Sequence, residues 1–150
     1  MPAVNDPYAP FVPHRGRTVA IGFGVVSVLV FAVLALVVPT TGLRGWSTLD
    51  SVLLLTFGLL IGAAMWRFAA LRAVPSPTGL VVRNVLLTRT VTWDEVSRVR
   101  FAGGDPWVVL DLADGEQLAV MAVQKSDGPI ARSEGSRLAA LVQAGRTHGR

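Results

Sequence analysis

Residues 87–101 read LTRTVTWDEVSRVRF. Thr88, Thr90 and Thr92 alternate with Arg89, Val91 and Trp93; beyond Asp94-Glu95, Val99 and Phe101 alternate with Arg98 and Arg100. A period of two marks a strand with one face turned to a core. The stretch therefore predicts two strands joined at a corner made by WDEV, with Trp93 and Phe101 packed on each other's side of the sheet.

Further strands follow on both sides. Residues 79–83 form a first strand, ending in a turn at Arg83-Asn84, and residues 87–93 form the second. Residues 97–102 are the third, and Gly103-Gly104-Asp105-Pro106 is a dense turn cluster. Residues 107–112 and 116–123 form a hairpin. Asp114-Gly115 suits its two-residue type I′ loop, in which both positions take positive φ. After QKSDGP, residues 130–144 carry Ile130, Leu138, Leu141 and Val142 at the spacing of an amphipathic helix, weakened at Gly135. This is a small antiparallel meander of five strands closed by a C-terminal helix.

Upstream the character changes. Residues 18–38 form 21 uncharged residues, roughly 31 Å as a helix, which matches a hydrocarbon core of about 30 Å. Pro39 stops the run. A cleaved signal peptide is the other reading, but its apolar region is usually about 7–15 residues and no small-x-small site follows cleanly. Residues 51–66 are again uncharged, and continuation to Leu71 gives a second span in which Arg67 snorkels and Trp66 sits at the interface. A buried helix of a soluble domain would need a partner core of matching size, and none is visible. The short loop 40–50 implies an antiparallel hairpin. Ala20/Gly24 and Gly58/Gly62 are four apart, a spacing that permits close backbone approach. Arg15 and Arg17 precede the first span, Arg67 and Arg72 end the second, and only Arg44 lies between. The positive-inside rule then predicts a multi-pass protein of the inner (plasma) membrane with both termini cytoplasmic.

Several chemistries find no support. The absence of cysteine excludes disulfide and thiol chemistry. His14 and His148 stand near opposite ends of the chain. Net charge is +4, and from Arg72 onward ten basic residues face eight acidic ones, too balanced for a nucleic-acid footprint. Asp94 and Glu95 are neighbours and cannot flank one substrate from a strand. Asp111, Asp114 and Glu116 read as a solvated hairpin tip rather than a cation site. Ser47, Ser51, Ser76 and Ser97 lack a nearby histidine, and Gly103-Gly104 lacks the Lys-Ser/Thr of a phosphate loop. No catalytic, metal or cofactor residue is assigned. The contact candidates are Arg83 and Arg89 around the first hairpin, Arg98 and Arg100 on one strand face, and Trp107 after the Gly-rich turn. Near an anionic surface each cation contributes about 1 kcal/mol; the same arginines also fit a solvated sheet face paired with local acids, and Trp107 fits a core.

Two apolar spans followed by G-L-x-V-R-N…R-T-V-T-W-D-E-V-x-x-V-x-F, a hairpin and a helix resemble the actinobacterial membrane proteins with a bacterial PH-like domain, the low-molecular-weight protein antigen 6 group. The resemblance runs from Thr78 to about Val142 and rests on Gly79, Leu80, Arg83, Trp93, Val96 and Val99. It implies a PH-like fold, a bent antiparallel sheet closed by a helix, and no established catalytic activity. A full PH domain has seven strands, against five placed here. The expected fold class is an α+β membrane protein: a disordered tail over 1–17, a transmembrane hairpin over 18–72, a linker over 73–77, a PH-like antiparallel β domain over 78–144 and a tail over 145–150. The expected role is a non-enzymatic module recruiting or stabilising a protein partner at the inner membrane surface. The alternatives are an anionic-lipid sensor using the arginine face, or an accessory subunit of an envelope enzyme or transporter. The expected partners are the lipid bilayer and a protein, without nucleic acid; the oligomeric state is not determined by the sequence.

Overall fold

A computed structural model describes residues 6–101 and 103–148. The chain separates into two compact units: residues 18–69, and residues 70–148 together with the described part of the N-terminal segment up to Arg17.

The first unit holds most of helix α1 (His14–Val37), a 3-10 turn Val38–Thr41 and helix α2 (Thr48–Ala69). Both helices are long and apolar enough to cross a membrane. The start of α2 is set by Ser47 and Asp50. The Ser47 backbone N–H donates to Asp50 Oδ2 at 2.8 Å and the Asp50 N–H returns a bond to Ser47 Oγ at 3.3 Å, a reciprocal cap of the helix N-terminus. The small residues expected between the helices lie where they meet. A Cβ on Gly58 would collide with the Phe31 side chain, and one on Gly62 with Val28. Phe31 and Phe57 add an edge-to-face pair with centroids 5.2 Å apart. Without side chains at Gly24, Gly58 and Gly62 the backbones can approach, which replaces hydrophobic burial as the source of helix association in an apolar solvent.

The second unit contains six strands in two antiparallel sheets. Strands β1 (Arg72–Pro75), β2 (Gly79–Arg83) and β3 (Thr88–Thr92) form one sheet; β4 (Val96–Arg100), β5 (Trp107–Leu112) and β6 (Gln117–Gln124) form the other; helix α3 (Pro129–His148) follows. Two small antiparallel sheets closed by a helix are the kind of arrangement that the resemblance implies. Leu80, Val82, Val91, Val96, Val108, Leu110 and Val120 alternate into one core with Trp93, Leu138 and Val142.

The corner at WDEV is a 3-10 turn, Trp93–Glu95, that ends one sheet and begins the other. The Glu95 carboxylate accepts the Thr92 backbone N–H at 2.7 Å in a capping box. Beyond it the register shifts between Val96 and Arg98. That bulge turns the three-residue spacing of Val96 and Val99 into a shared inward direction and leaves Arg98 and Arg100 outward. Trp93 and Phe101 both face the common core, as the alternation predicts, but they meet α3 at different points. Trp93 lies against Gly145 and Phe101 against Gly135, ten residues or about 15 Å apart along α3. Gly135, expected to weaken the helix, is instead where Phe101 approaches it.

Several expected boundaries differ. The supposed linker 73–77 contains most of β1, which pairs with β2 from Arg72↔Arg83 to Pro75↔Leu80. Pro75 is tolerated because it closes an edge strand, where its missing N–H breaks no essential ladder bond. The supposed disordered tail is folded where it is described. Phe11 and Ala73 exchange backbone hydrogen bonds of 2.8 and 3.0 Å, and Phe11 is buried. Residues 1–5 of that tail lie outside the described residues. At the other end α3 runs to His148, so most of the expected tail 145–150 is helical, with 149–150 outside the description. Ile130 is exposed rather than on the core face. The β5–β6 loop is not type I′: Gly115 alone has positive φ, 86°, and the Gly115 N–H donates to Leu112 O at 3.0 Å, giving a three-residue loop with a glycine bulge.

Candidate interaction surface

The arginines divide into tied and untied groups. Arg89 on β3 reaches from one sheet to the loop of the other, with Nη1 2.5 Å from Glu116 Oε2 and Nη2 3.9 Å from Asp114 Oδ2. Its pKa is raised, first by the hydrogen bond to Glu116. Arg100 Nε lies 3.2 Å from Asp111 Oδ2 across the β4–β5 pair. Arg98 stands on the same outward face and is exposed. Arg83 ends β2 directly opposite Arg72. Neither Arg72, Arg83 nor Arg98 meets a carboxylate among the described residues. Trp107 opens β5 half-buried beside Pro106, Gln124 and Lys125, in a shallow depression rather than in the core.

The sequence-based candidates therefore do not converge on one face. Arg98 and Arg100 share a strand of one sheet, Arg83 and Arg89 belong to the other, and Trp107 borders a separate depression. Two features escaped the sequence reading. Arg72 joins Arg83 through the strand hidden in the linker. Leu86, between the expected turn at Arg83-Asn84 and the expected strand, and Leu87, the expected strand start, project from the β2–β3 turn at 85% and 74% exposure. A doublet of leucines between turn and strand signals was the available clue.

The acids serve the fold. Asp127, 5% exposed, accepts the backbone N–H groups of His14 at 3.0 Å and Arg15 at 2.9 Å, capping the start of α1. Glu134 pairs with Arg137 at 2.6 Å, and Arg137 stacks over the Phe11 ring at 3.9 Å from its centroid. Glu95 caps the corner; Asp111, Asp114 and Glu116 hold arginines. No cluster of three or more His, Cys, Asp or Glu side chains able to hold a metal ion occurs among the described residues.

The edges of the sheets differ as well. The outer edge of β1 is paired by Phe11, β6 receives the Asn84 side chain, and the Ser97 carbonyl on β4 accepts from Arg146 Nη1 at 3.4 Å. On β3 only Thr92, at its end, has its backbone N–H taken by a group outside the sheet among the described residues.

This core, corner and closing helix have a counterpart among known families. Residues 70–140 match the family described as Bacterial PH domain. Uncharacterized proteins of Mycobacterium tuberculosis and Mycobacterium bovis are each 43% identical to the chain over 82 residues, 55% of this chain and 53% of theirs. The chain thus spans about half the length of the curated relatives it matches. No solved structure matches it. The matched residues run from just before β1 into α3.

Proposed function

We propose that the protein is a non-enzymatic, membrane-anchored PH-like module that recruits or stabilises a protein partner at the inner membrane surface. In this reading α1 and α2 cross the plasma membrane as a hairpin with both termini cytoplasmic, as the distribution of Arg15, Arg17, Arg67 and Arg72 against Arg44 favours. The likeness to mycobacterial proteins supports an actinobacterial setting for this reading; kinship with the low-molecular-weight protein antigen 6 group is part of the proposal. The carrying observation is the open edge of β3. It leaves backbone donors and acceptors ready for a partner strand, while the other three outer edges are at least partly covered. The commitment of six carboxylates to caps and ion pairs speaks for a scaffold rather than a reaction centre. Lipid sensing through the Arg98–Arg100 face is less favoured because Arg100 is engaged by Asp111.

The test is a photo-crosslinking amino acid placed at Thr90 of the full chain in cells, with Ser133 on α3 as the comparison. A discrete adduct at Thr90 and none at Ser133 is the expected result. Equal, diffuse labelling at both positions would remove β3 as the docking edge. An adduct of twice the chain's mass would replace a foreign partner by a second copy.

A further inference from the structure

Among the described residues, Leu86 and Leu87 are the most exposed large apolar side chains of the β unit, at 85% and 74%. They do not sit on a loose loop. The Asn84 N–H closes the turn onto Leu87 O at 2.8 Å, and the Asn84 side chain bonds to β6 at Ala119 O and Met121 N. An apolar tip held this firmly needs no ordering when it enters another medium.

The chemistry around the tip selects that medium. Arg83 immediately precedes the turn and Arg72 faces it across the β1–β2 pair. Neither guanidinium meets a carboxylate among the described residues, whereas Arg89, Arg100 and Arg137 each do. Untied cations behind an apolar tip are the side-chain arrangement of a membrane-interfacial element: leucines below the headgroups, guanidiniums among the phosphates.

Chain connectivity supplies the remaining argument. Arg72 follows Ala69, the last residue of α2, by three residues, a reach of at most about 11 Å. Because β2 runs antiparallel to β1, the β2–β3 turn lies at the end of the sheet where the chain enters at Arg72. The tip and Arg72 thus share the end of the sheet at which the chain arrives from α2, a helix long and apolar enough to cross a bilayer.

We infer that the Leu86–Leu87 tip inserts into an anionic bilayer surface, with Arg72 and Arg83 binding the lipid phosphates beside it. This rests on the membrane-anchored reading and adds a second, local attachment that would orient the PH-like unit on its own membrane.

The chain lacks cysteine, so single labels are unambiguous. The full chain is placed in nanodiscs of phosphatidylglycerol with phosphatidylcholine, or of phosphatidylcholine alone. An environment-sensitive fluorophore is attached at Leu86→Cys, Leu60→Cys in α2 or Ser133→Cys on α3. The expected result is blue-shifted emission at position 86 with quenching by spin-labelled lipid, resembling position 60 and unlike position 133. That quenching should fall severalfold in neutral discs and in an Arg72→Gln/Arg83→Gln background. Lipid quenching at 60 with iodide quenching at 86 would overturn insertion and leave anchoring intact. Loss of lipid quenching at 60 would overturn anchoring itself. Shielding of 86 from both quenchers would mean that protein covers the tip, and insertion equal in both discs would remove the role of the arginines; either overturns the inference as stated.

Discussion

Asn84 Nδ2 donates to the Ala119 carbonyl oxygen at 2.7 Å, and Asn84 Oδ1 accepts the Met121 N–H at 3.3 Å. One side-chain amide thus occupies the outer edge of β6 as a backbone peptide of an added strand would. Asn84 follows the last residue of β2, so this pair of bonds joins the two sheets at a point where no ladder does.

Replacing Asn84 by Ala should destabilise the β unit by about 1–3 kcal/mol, because a donor and an acceptor on β6 lose a partner. Asn84→Asp should cost at least as much, since a carboxylate keeps the bond from Met121 but faces the Ala119 carbonyl without a proton. Denaturant unfolding of the full chain in detergent micelles would compare the two. An Asp variant as stable as the native chain would show that the Ala119 bond contributes little.

Gly145 lies under Trp93, where an added Cβ would overlap the indole ring and the Trp93 Cβ. In an exposed helix Gly→Ala gains about 1 kcal/mol. Here the overlap must be relieved by moving a buried tryptophan whose Nε1 donates to Ser76 O at 3.0 Å, and overpacking of this kind costs about 1–3 kcal/mol. The expected sign is therefore net destabilisation for Gly145→Ala, together with a shift in Trp93 fluorescence. A raised Tm would contradict the packing described.

Asp127→Ala removes the acceptor for both the His14 and Arg15 N–H groups. Loss of a helix cap costs about 0.5–2 kcal/mol. The effect should be local: faster amide exchange at Phe11 and Arg15 and easier proteolysis within residues 6–13, with β5 and β6 amides little changed. Uniformly faster exchange would mean that the N-terminal segment is integral to global stability.

Glu95 has a pKa held below the ordinary carboxylate value, first by the Thr92 backbone N–H and then by the Thr92 hydroxyl. A depressed folded-state pKa contributes stability that is fully present above the ordinary value and is lost as pH falls through the lowered one. Protection of the Thr92 amide should drop across that acid window in the native chain and stay flatter in Glu95→Gln, whose side chain accepts without titrating. Identical acid profiles for the two would assign the capping no pH dependence.

Much of this protein was legible residue by residue. The strands 79–83 and 107–112 coincide with the bounds read between turn signals, and the WDEV corner carries its own cap in Thr92 and Glu95. What escaped was non-local. The residues of β1 read as linker because Ala73-Val74-Pro75 has too few apolar positions to show a period, and its partner Phe11 is separated from it by both long helices. The candidate arginines were chosen by type and spacing, and neither discloses which of them meets an acid.

By itself the sequence determined the elements whose signals are short-range: two apolar helices, the alternating strands, the corner, and the small residues at helix-contact spacing. Tertiary structure alone decided that Asp127 caps a helix that begins more than a hundred residues earlier, that Asn84 bridges two sheets, and that, among the described residues, Arg89 and Arg100 meet a carboxylate while Arg72 and Arg83 do not. The physical reason is one of range. Periodicity and capping act within one or two turns of chain, whereas these pairings form only once burial of a common core has brought distant segments within hydrogen-bond reach.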